Sequence, residues 1–231
     1  MDDLETVLKQ LKKGKSQDPF GYPNEIFHTD VAGEDLKLAL LKLLNRIKIE
    51  QCYPEVLEIC NISSIYKRNK GCRNDFNSYR GIFRVTFVRG ILYKLIYNDE
   101  YKTIDDNLTD SNVGARKNRN IRDNIFVINA ISNSVIKGKE EPVDIQIYDV
   151  EKCVDALWLQ DCINDLFEAG LQNDKLPLLL LENLNAQVAV KTPNGISRRT
   201  SIKNIIMQGS VWGSLMCTTS MDKLAQTVYE K

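Results

Sequence analysis

The sequence carries no excess of charge, with 31 Lys and Arg against 31 Asp and Glu over 231 residues. No global field draws it to nucleic acid or to a membrane surface, so any polyanion has to be held by local basic patches. Histidine is almost missing: His28 stands alone, and the six cysteines, Cys52, Cys60, Cys72, Cys153, Cys162 and Cys217, form no C-x-x-C pair. That argues against a zinc site and for a reduced, intracellular protein, with nucleus and cytoplasm left open. No apolar run has the length of a bilayer span, and the N-terminus, Met1-Asp-Asp-Leu-Glu5, is acidic where a secretory leader would be basic. Internal repeats and low-complexity linkers are absent too. What is there, 43% hydrophobic and 27% charged residues, is the composition of a folded chain able to bury a core as one domain or as two sub-domains.

Residues 143–158 organise the rest. Val143, Ile145 and Ile147 alternate with Asp144, Gln146 and Tyr148, the period-two pattern of a half-buried strand, and Asp149 breaks it. Residues 156–170 then place apolar groups three and four apart and close with Gly170, which predicts a helix ending in a glycine turn. Asp155 falls at about the cap of that helix, where a carboxylate accepts backbone N–H groups. Asp149 is left at a strand end; on these residues alone it is also read as an ordinary loop carboxylate.

Taken in order, the chain opens with a helix at Asp2 or Asp3 that puts Leu4, Val7, Leu8 and Leu11 on one face and lysines outside. A loop forced by Asp18-Pro19, Gly21 and Pro23 leads to a helix start near Asn24. Residues 36–49 predict a largely buried helix and 59–66 a strand. The turn at 67–73 is basic, and 75–84 adds Arg80 and Arg84 beside Phe76, Tyr79 and Phe83. Arginine forks interleaved with aromatics suit a phosphate backbone and its bases, and equally a solvated loop with its aromatics in the core. Residues 85–96 predict an amphipathic helix with Arg89 and Lys94 on its polar side. A second basic loop at 111–122 precedes helical spacing over 121–136, and residues 137–142 turn toward the 143–148 strand. Further on come a leucine-rich helix at 174–185 and two extended segments flanking Pro193-Asn194-Gly195, a hairpin signal. Residues 205–215 give a strand end, a loop whose glycines permit close approach to a ligand or tight packing under a sheet, and a last helix from about Ser214.

Five of these segments, in this order, resemble the reverse transcriptase domain of non-LTR retrotransposons and their group II intron relatives. Residues 15–25, Lys-Ser-Gln-Asp-Pro-Phe-Gly-Tyr-Pro-Asn-Glu, are similar to the opening "K-S/A…D…G…P-N-E" motif. Residues 62–67 with 75–82 are similar to "I-x-x-I-x-K…D…N-x-R-G/P-I". Val113-Gly-Ala-Arg116 with Asn120-Ile-Arg122 matches "x-G-x-R". Tyr148-Asp-Val-Glu-Lys-Cys-Val-Asp155 matches the first palm motif, "D-x-x-K-A-F-D", and residues 207–215 match the "Q-G…G-P/S-L" loop.

The resemblance implies an α+β right-hand polymerase: an N-terminal helical extension over 1–58, helical fingers over 59–140, and part of an antiparallel palm sheet over 141–231, in one continuous domain. It implies that Asp149 is catalytic and holds Mg2+ with the carbonyl of Val150. It places Arg80, Arg116, Val154, Gln208 and Gly209 at the incoming nucleotide, and Arg73, Arg84 and Arg122 on nucleic acid. The implied partners are an RNA template, a DNA primer, deoxynucleoside triphosphates and the rest of a parent polyprotein, with no membrane. Two cations of this kind activate the primer 3′-hydroxyl and stabilise the leaving pyrophosphate in an in-line displacement.

Two departures qualify this. Cys153 and Val154 stand where the family has alanine and phenylalanine, and a valine beneath the incoming sugar leaves more room for a ribose 2′-hydroxyl. No aromatic-x-Asp-Asp follows Gln208; Asp222 stands alone in the last helix, and Asp105-Asp106 precedes the first palm motif. A single carboxylate does not hold two cations about 3.5–4 Å apart, because their repulsion needs bridging anions. Three expectations follow: a polymerase active only with further palm segments, a binding module or inactive remnant, and, least supported by the ordered motifs, an unrelated interaction protein.

Overall fold

The computed structural model describes residues 1–68, 71–138, 141–150, 152–184, 186–204 and 206–229. The turns expected at 67–73 and 137–142 are therefore seen only in part, and Ile205, expected at a strand end, lies outside the described residues.

Helix α1 (Asp2–Lys9) buries Leu4, Val7 and Leu8, and its acidic first turn and Lys9 in the last turn complement the helix dipole. After a single 3₁₀ turn (Asn24–Phe27), α2 (Glu34–Glu50) buries Leu40, Leu44 and Ile47. Leu36, Leu38 and Ile49 of α2 are exposed, so the helix buries one face rather than most of its surface. Strands β1 (Ile59–Tyr66) and β2 (Tyr79–Val85) pair antiparallel, in register from Cys60 with Val85 to Tyr66 with Tyr79. Helix α3 (Phe87–Asp106) starts where Thr86 caps it and runs well past the expected end at residue 96. Arg89, expected on its polar side, is buried, donating to the Tyr93 hydroxyl at 2.6 Å and to the Leu57 carbonyl at 3.2 Å.

Helix α4 (Ile121–Ile136) starts at a capping box built by Asn120 and Asp123. None of its residues is buried. The short α5 (Cys153–Ala156), α6 (Leu159–Glu168) and α7 (Leu176–Leu184) follow. Helix α6 ends as the sequence predicts: Gly170 has φ +101°, and Leu171 N–H donates to Leu166 O at 2.9 Å while Gly170 N–H donates to Phe167 O at 2.9 Å. Strands β3 (Ala186–Thr192) and β4 (Gly195–Ile196) make the expected hairpin across Pro193-Asn194, and β5 (Thr200–Ile202) pairs with β3 as well. Helix α8 (Val211–Tyr229) follows and begins ahead of the expected Ser214.

The architecture is α+β, with eight α-helices among the described residues and one small sheet ordered β2-β1-β3-β4. The sheet is mixed, since β1 and β3 run parallel, whereas the family resemblance implied an antiparallel one. That pairing joins residues 59–66 to 186–192, so the stretches expected as fingers and palm share a sheet. The core lies between α1, α2, α3, α6, α7 and α8. Trp212 is fully buried there, and its indole N–H donates to Tyr93 O at 3.2 Å, which fixes the start of α8 against α3.

The alternating segment at 143–148 is not a strand. Residues 141–150 show no regular structure, and Ile147 is 90% exposed. Among the described residues the sheet is built from other segments. β1 lies between β2 and β3, the other edge of β3 takes β4 and β5, and Phe83 N–H on β2 donates to Gln208 O at 2.9 Å. A strand exists only with a neighbour for its N–H and C=O groups, and among the described residues no strand pairs with this segment.

Candidate functional site

Three segments distant in sequence meet in an open cleft of about 960 Å³. Strand β2 supplies Tyr79, Arg80, Gly81, Ile82 and Phe83. The stretch before and within α5 supplies Asp149, Val150, Lys152, Cys153, Val154 and Asp155. The turn into α8 supplies Gln208, Gly209, Gly213 and Ser214, and Lys67 and Arg68 at the end of β1 close the rim. Of the residues singled out in the sequence, Arg80, Asp149, Val150, Val154, Gln208 and Gly209 all line this one cleft.

Local chemistry explains the arrangement. Asp75 accepts from Asn77 N–H at 2.9 Å and turns the chain into β2. Lys152 takes a left-handed conformation, φ 51°, reversing the chain between the carboxylate-bearing segment and α5, and its ammonium donates to Asn77 Oδ1 at 3.3 Å. Gly209 has φ +102°, and a Cβ there would stand 3.2 Å from Ile82 Cγ2 and 3.4 Å from Phe83 O. Glycine is needed at this position for both reasons, and its lack of a side chain lets the turn lie directly on β2. Gln208 spans the cleft: its backbone carbonyl accepts from Phe83 N–H, and its side-chain amide donates to Asp155 Oδ1 at 3.2 Å.

The lining is basic on balance. Lys67, Arg68, Arg80 and Lys152 face Asp149 and Asp155. Although the whole chain is neutral, this cleft can therefore attract an anion. At its edge Tyr66 and Tyr79 pack with ring centroids 5.5 Å apart, the Arg73 guanidinium lies 5.5 Å from the Tyr66 ring, and Tyr79 OH donates to Arg73 O at 2.9 Å. Arg73 is exposed there, on the rim side of the same β1–β2 hairpin.

Three of the other arginines sit elsewhere. Arg116 is drawn into the protein: its side chain is 3% exposed, and it donates to Asp105 Oδ1 at 2.8 Å and to the carbonyls of Thr109, Asn112 and Asp105. With four of its five N–H groups taken and the side chain buried, it presents no guanidinium fork to a triphosphate. Arg84 ties Gln17 O to Ser63 Oγ, at 3.0 and 2.6 Å, and so docks the opening loop on β1. Arg122 stands exposed in the first turn of α4, outside the cleft lining.

Asp155 does not cap the long helix as expected. It lies inside α5; α6 starts separately, with Leu159 N–H taken by Asn204 Oδ1 at 2.7 Å. Asp155 is left exposed toward the cleft rather than at a helix cap, and Lys152 lies beside it; Lys67, Arg68 and Tyr79 come from the basic, aromatic stretch whose residue types suit a phosphate backbone. The opening motif closes on itself: Asp18 Oδ1 accepts from Phe20 and Tyr22 N–H, and Asn24 Nδ2 donates to Lys12 O at 2.6 Å. Asp222 is buried as an acceptor for Thr109 N–H and Oγ1, the latter at 2.6 Å, far from any nucleotide role.

The residues of the cleft do not fit a two-cation centre. Asp149 and Asp155 are the carboxylates lining it, and among the described residues no group of three or more His, Cys, Asp or Glu side chains could hold a metal ion. Among the described residues, no helix is long and apolar enough to cross a membrane. No protein-family model matches the chain, and no curated protein matches it.

Proposed function

We propose that this chain is the fingers and first palm segment of a reverse transcriptase-type polymerase, and that its own activity is to bind a template-primer and a nucleoside triphosphate in the cleft. One observation carries the reading: residues picked from three separate motifs, Arg80, Asp149 with Val154, and Gln208 with Gly209, line a single cavity. Their roles follow from their chemistry. Arg80, exposed on β2, offers a guanidinium fork to phosphate oxygens. Lys67, Arg68 and Lys152 add positive charge along the same wall. The Gln208–Gly209 turn, packed directly on β2, forms part of the wall against which a base pair can lie. Val154 is smaller than an aromatic residue and leaves room beside the sugar.

Nucleotide addition belongs to a polypeptide that brings further carboxylates to Asp149. On its own the cleft binds and does not extend, the behaviour of a nucleic-acid-binding module; the two-carboxylate lining favours this second description for the isolated chain.

The test is fluorescence anisotropy of a labelled RNA–DNA template-primer with purified chain, run alongside primer extension with Mg2+. Binding that weakens with salt and falls about tenfold in Arg80→Ala, on the order of one phosphate contact, is expected. No extension product is expected from the wild type or from Asp149→Ala. Absence of binding, or binding indifferent to Arg80, would overturn the reading. Extension that vanishes in Asp149→Ala would overturn its second half.

A further inference from the structure

We propose that Cys153 and Cys217 are a redox pair whose disulfide fastens the carboxylate-bearing wall of the cleft to helix α8. Their sulfur atoms are 3.2 Å apart, although the residues are 64 positions apart in the chain. No disulfide joins any of the six cysteines. A disulfide needs about 2.05 Å between sulfurs, so closure takes a movement of about 1 Å. Neither residue is buried outright, and Cys153 lines the open cleft, so a small oxidant reaches it from solvent.

The two thiols differ. Burial first, and then the hydrogen bond and charge of Cys153, push the Cys217 thiol up to about 12. Cys153, which lines the open cleft, is the thiol that a small oxidant meets first, and it is the attacking group. With a low-molecular-weight disulfide as oxidant, the Cys153 thiolate attacks one of its sulfurs and expels the first small thiol. Cys217 then gives up its proton to solvent, its thiolate attacks Cys153 of the mixed disulfide, and the second small thiolate leaves and takes up a proton. The protein loses two hydrogens as one S–S bond forms, and the oxidant becomes two thiols.

The location gives the bond an effect. Cys153 opens α5, four residues from Asp149 and next to Val154 and Asp155, and the segment before it, 141–150, has no regular structure. Cys217 lies one turn along α8 from Gly213, which lines the same cleft. In the reduced protein α5 is held to its surroundings by contacts such as Gln208 with Asp155. In the oxidised protein it is bonded to a helix that is anchored in the core by Trp212. Any influence on nucleotide binding rests on the reading of the cleft above; the disulfide and the restraint do not.

The experiment contains no nucleic acid, so it fails or succeeds independently of that reading. The full chain is incubated with glutathione disulfide, alkylated and digested, and the products are identified by mass spectrometry; amide hydrogen exchange is measured before and after. The titratable thiol count is expected to fall by two, with a 153–217 cross-linked peptide, and exchange over 152–157 to slow at least fivefold. Cys153→Ala and Cys217→Ser should each abolish both changes. A cross-link through Cys162 instead, no cross-link at all, or a 153–217 cross-link without slower exchange would overturn the proposal.

Discussion

The side-chain amide of Gln208 donates to Asp155 Oδ1 at 3.2 Å while the carbonyl of the same residue accepts from Phe83 N–H at 2.9 Å. One residue thus holds the α5 wall and the β2 wall at a fixed separation. The bond joins groups 53 positions apart. It needs the left-handed Gly209 beside it, because any Cβ there would crowd β2.

Gln208→Ala should open the cleft without unfolding the protein. Asp155 is exposed, so losing the bond leaves no buried polar group behind, and stability should change by no more than about 0.5 kcal/mol. Template-primer affinity should fall several-fold in the anisotropy assay. Urea denaturation run on the same sample separates the two effects.

Arg116→Ala should do the opposite. Removing the guanidinium takes one donor each from the carbonyls of Thr109, Asn112 and Asp105 and leaves the Asp105 carboxylate without its ion pair, at a cost of about 3 kcal/mol. The urea midpoint should drop accordingly, with template-primer affinity of the folded fraction unchanged.

The same pair gives a pH dependence. Burial alone would raise the Asp105 pKa, but the hydrogen bonds from Arg116 and Tyr101 outweigh it and hold the carboxyl below its ordinary value. A depressed folded pKa contributes stability that is complete above the unfolded value, about 3.9 for an aspartate. That contribution is lost as the pH falls from there through the folded value. Acid titration of stability should therefore steepen below about pH 4 in the wild type, and less so in Arg116→Ala.

Gly213→Ala should disturb the floor of the cleft. Its Cβ would stand 2.6 Å from Met207 O, a backbone atom that cannot swing aside. The turn at 207–209 or the start of α8 must shift, with a loss of about 2 kcal/mol. Thermal unfolding reports the loss, and weaker template-primer binding reports the shift.

Helix α4 should govern self-association. Ile121, Ile125, Ile128 and Ile131 recur at helical spacing and all are exposed, with Phe126 73% exposed beside them. A contiguous exposed apolar stripe of this kind is suited to contact with another apolar surface. Ile125→Lys with Ile128→Lys should leave the urea midpoint within about 0.5 kcal/mol of wild type and lower the weight-average mass in sedimentation at high concentration.

The sequence by itself determined the local elements. The Ile59–Tyr66 strand, the Ile121–Ile136 helix, the Gly170 turn and the Pro193-Asn194 hairpin are each set by side-chain spacing and backbone preference within about a dozen residues. Tertiary structure decided everything that needs a distant partner. Alternation at 143–148 is as strand-like as any in the chain, yet it forms no strand, because among the described residues no other strand pairs with it. Arg80 and Arg116 read alike in sequence; one faces the cleft and the other is consumed by Asp105 and three carbonyls. Asp155 faces the cleft because Asn204, 49 positions after it, takes the α6 N–H that a helix cap would have used. Hydrogen bonds and ion pairs between remote residues are satisfied only once the chain has closed on itself, and no local pattern encodes which of them will be.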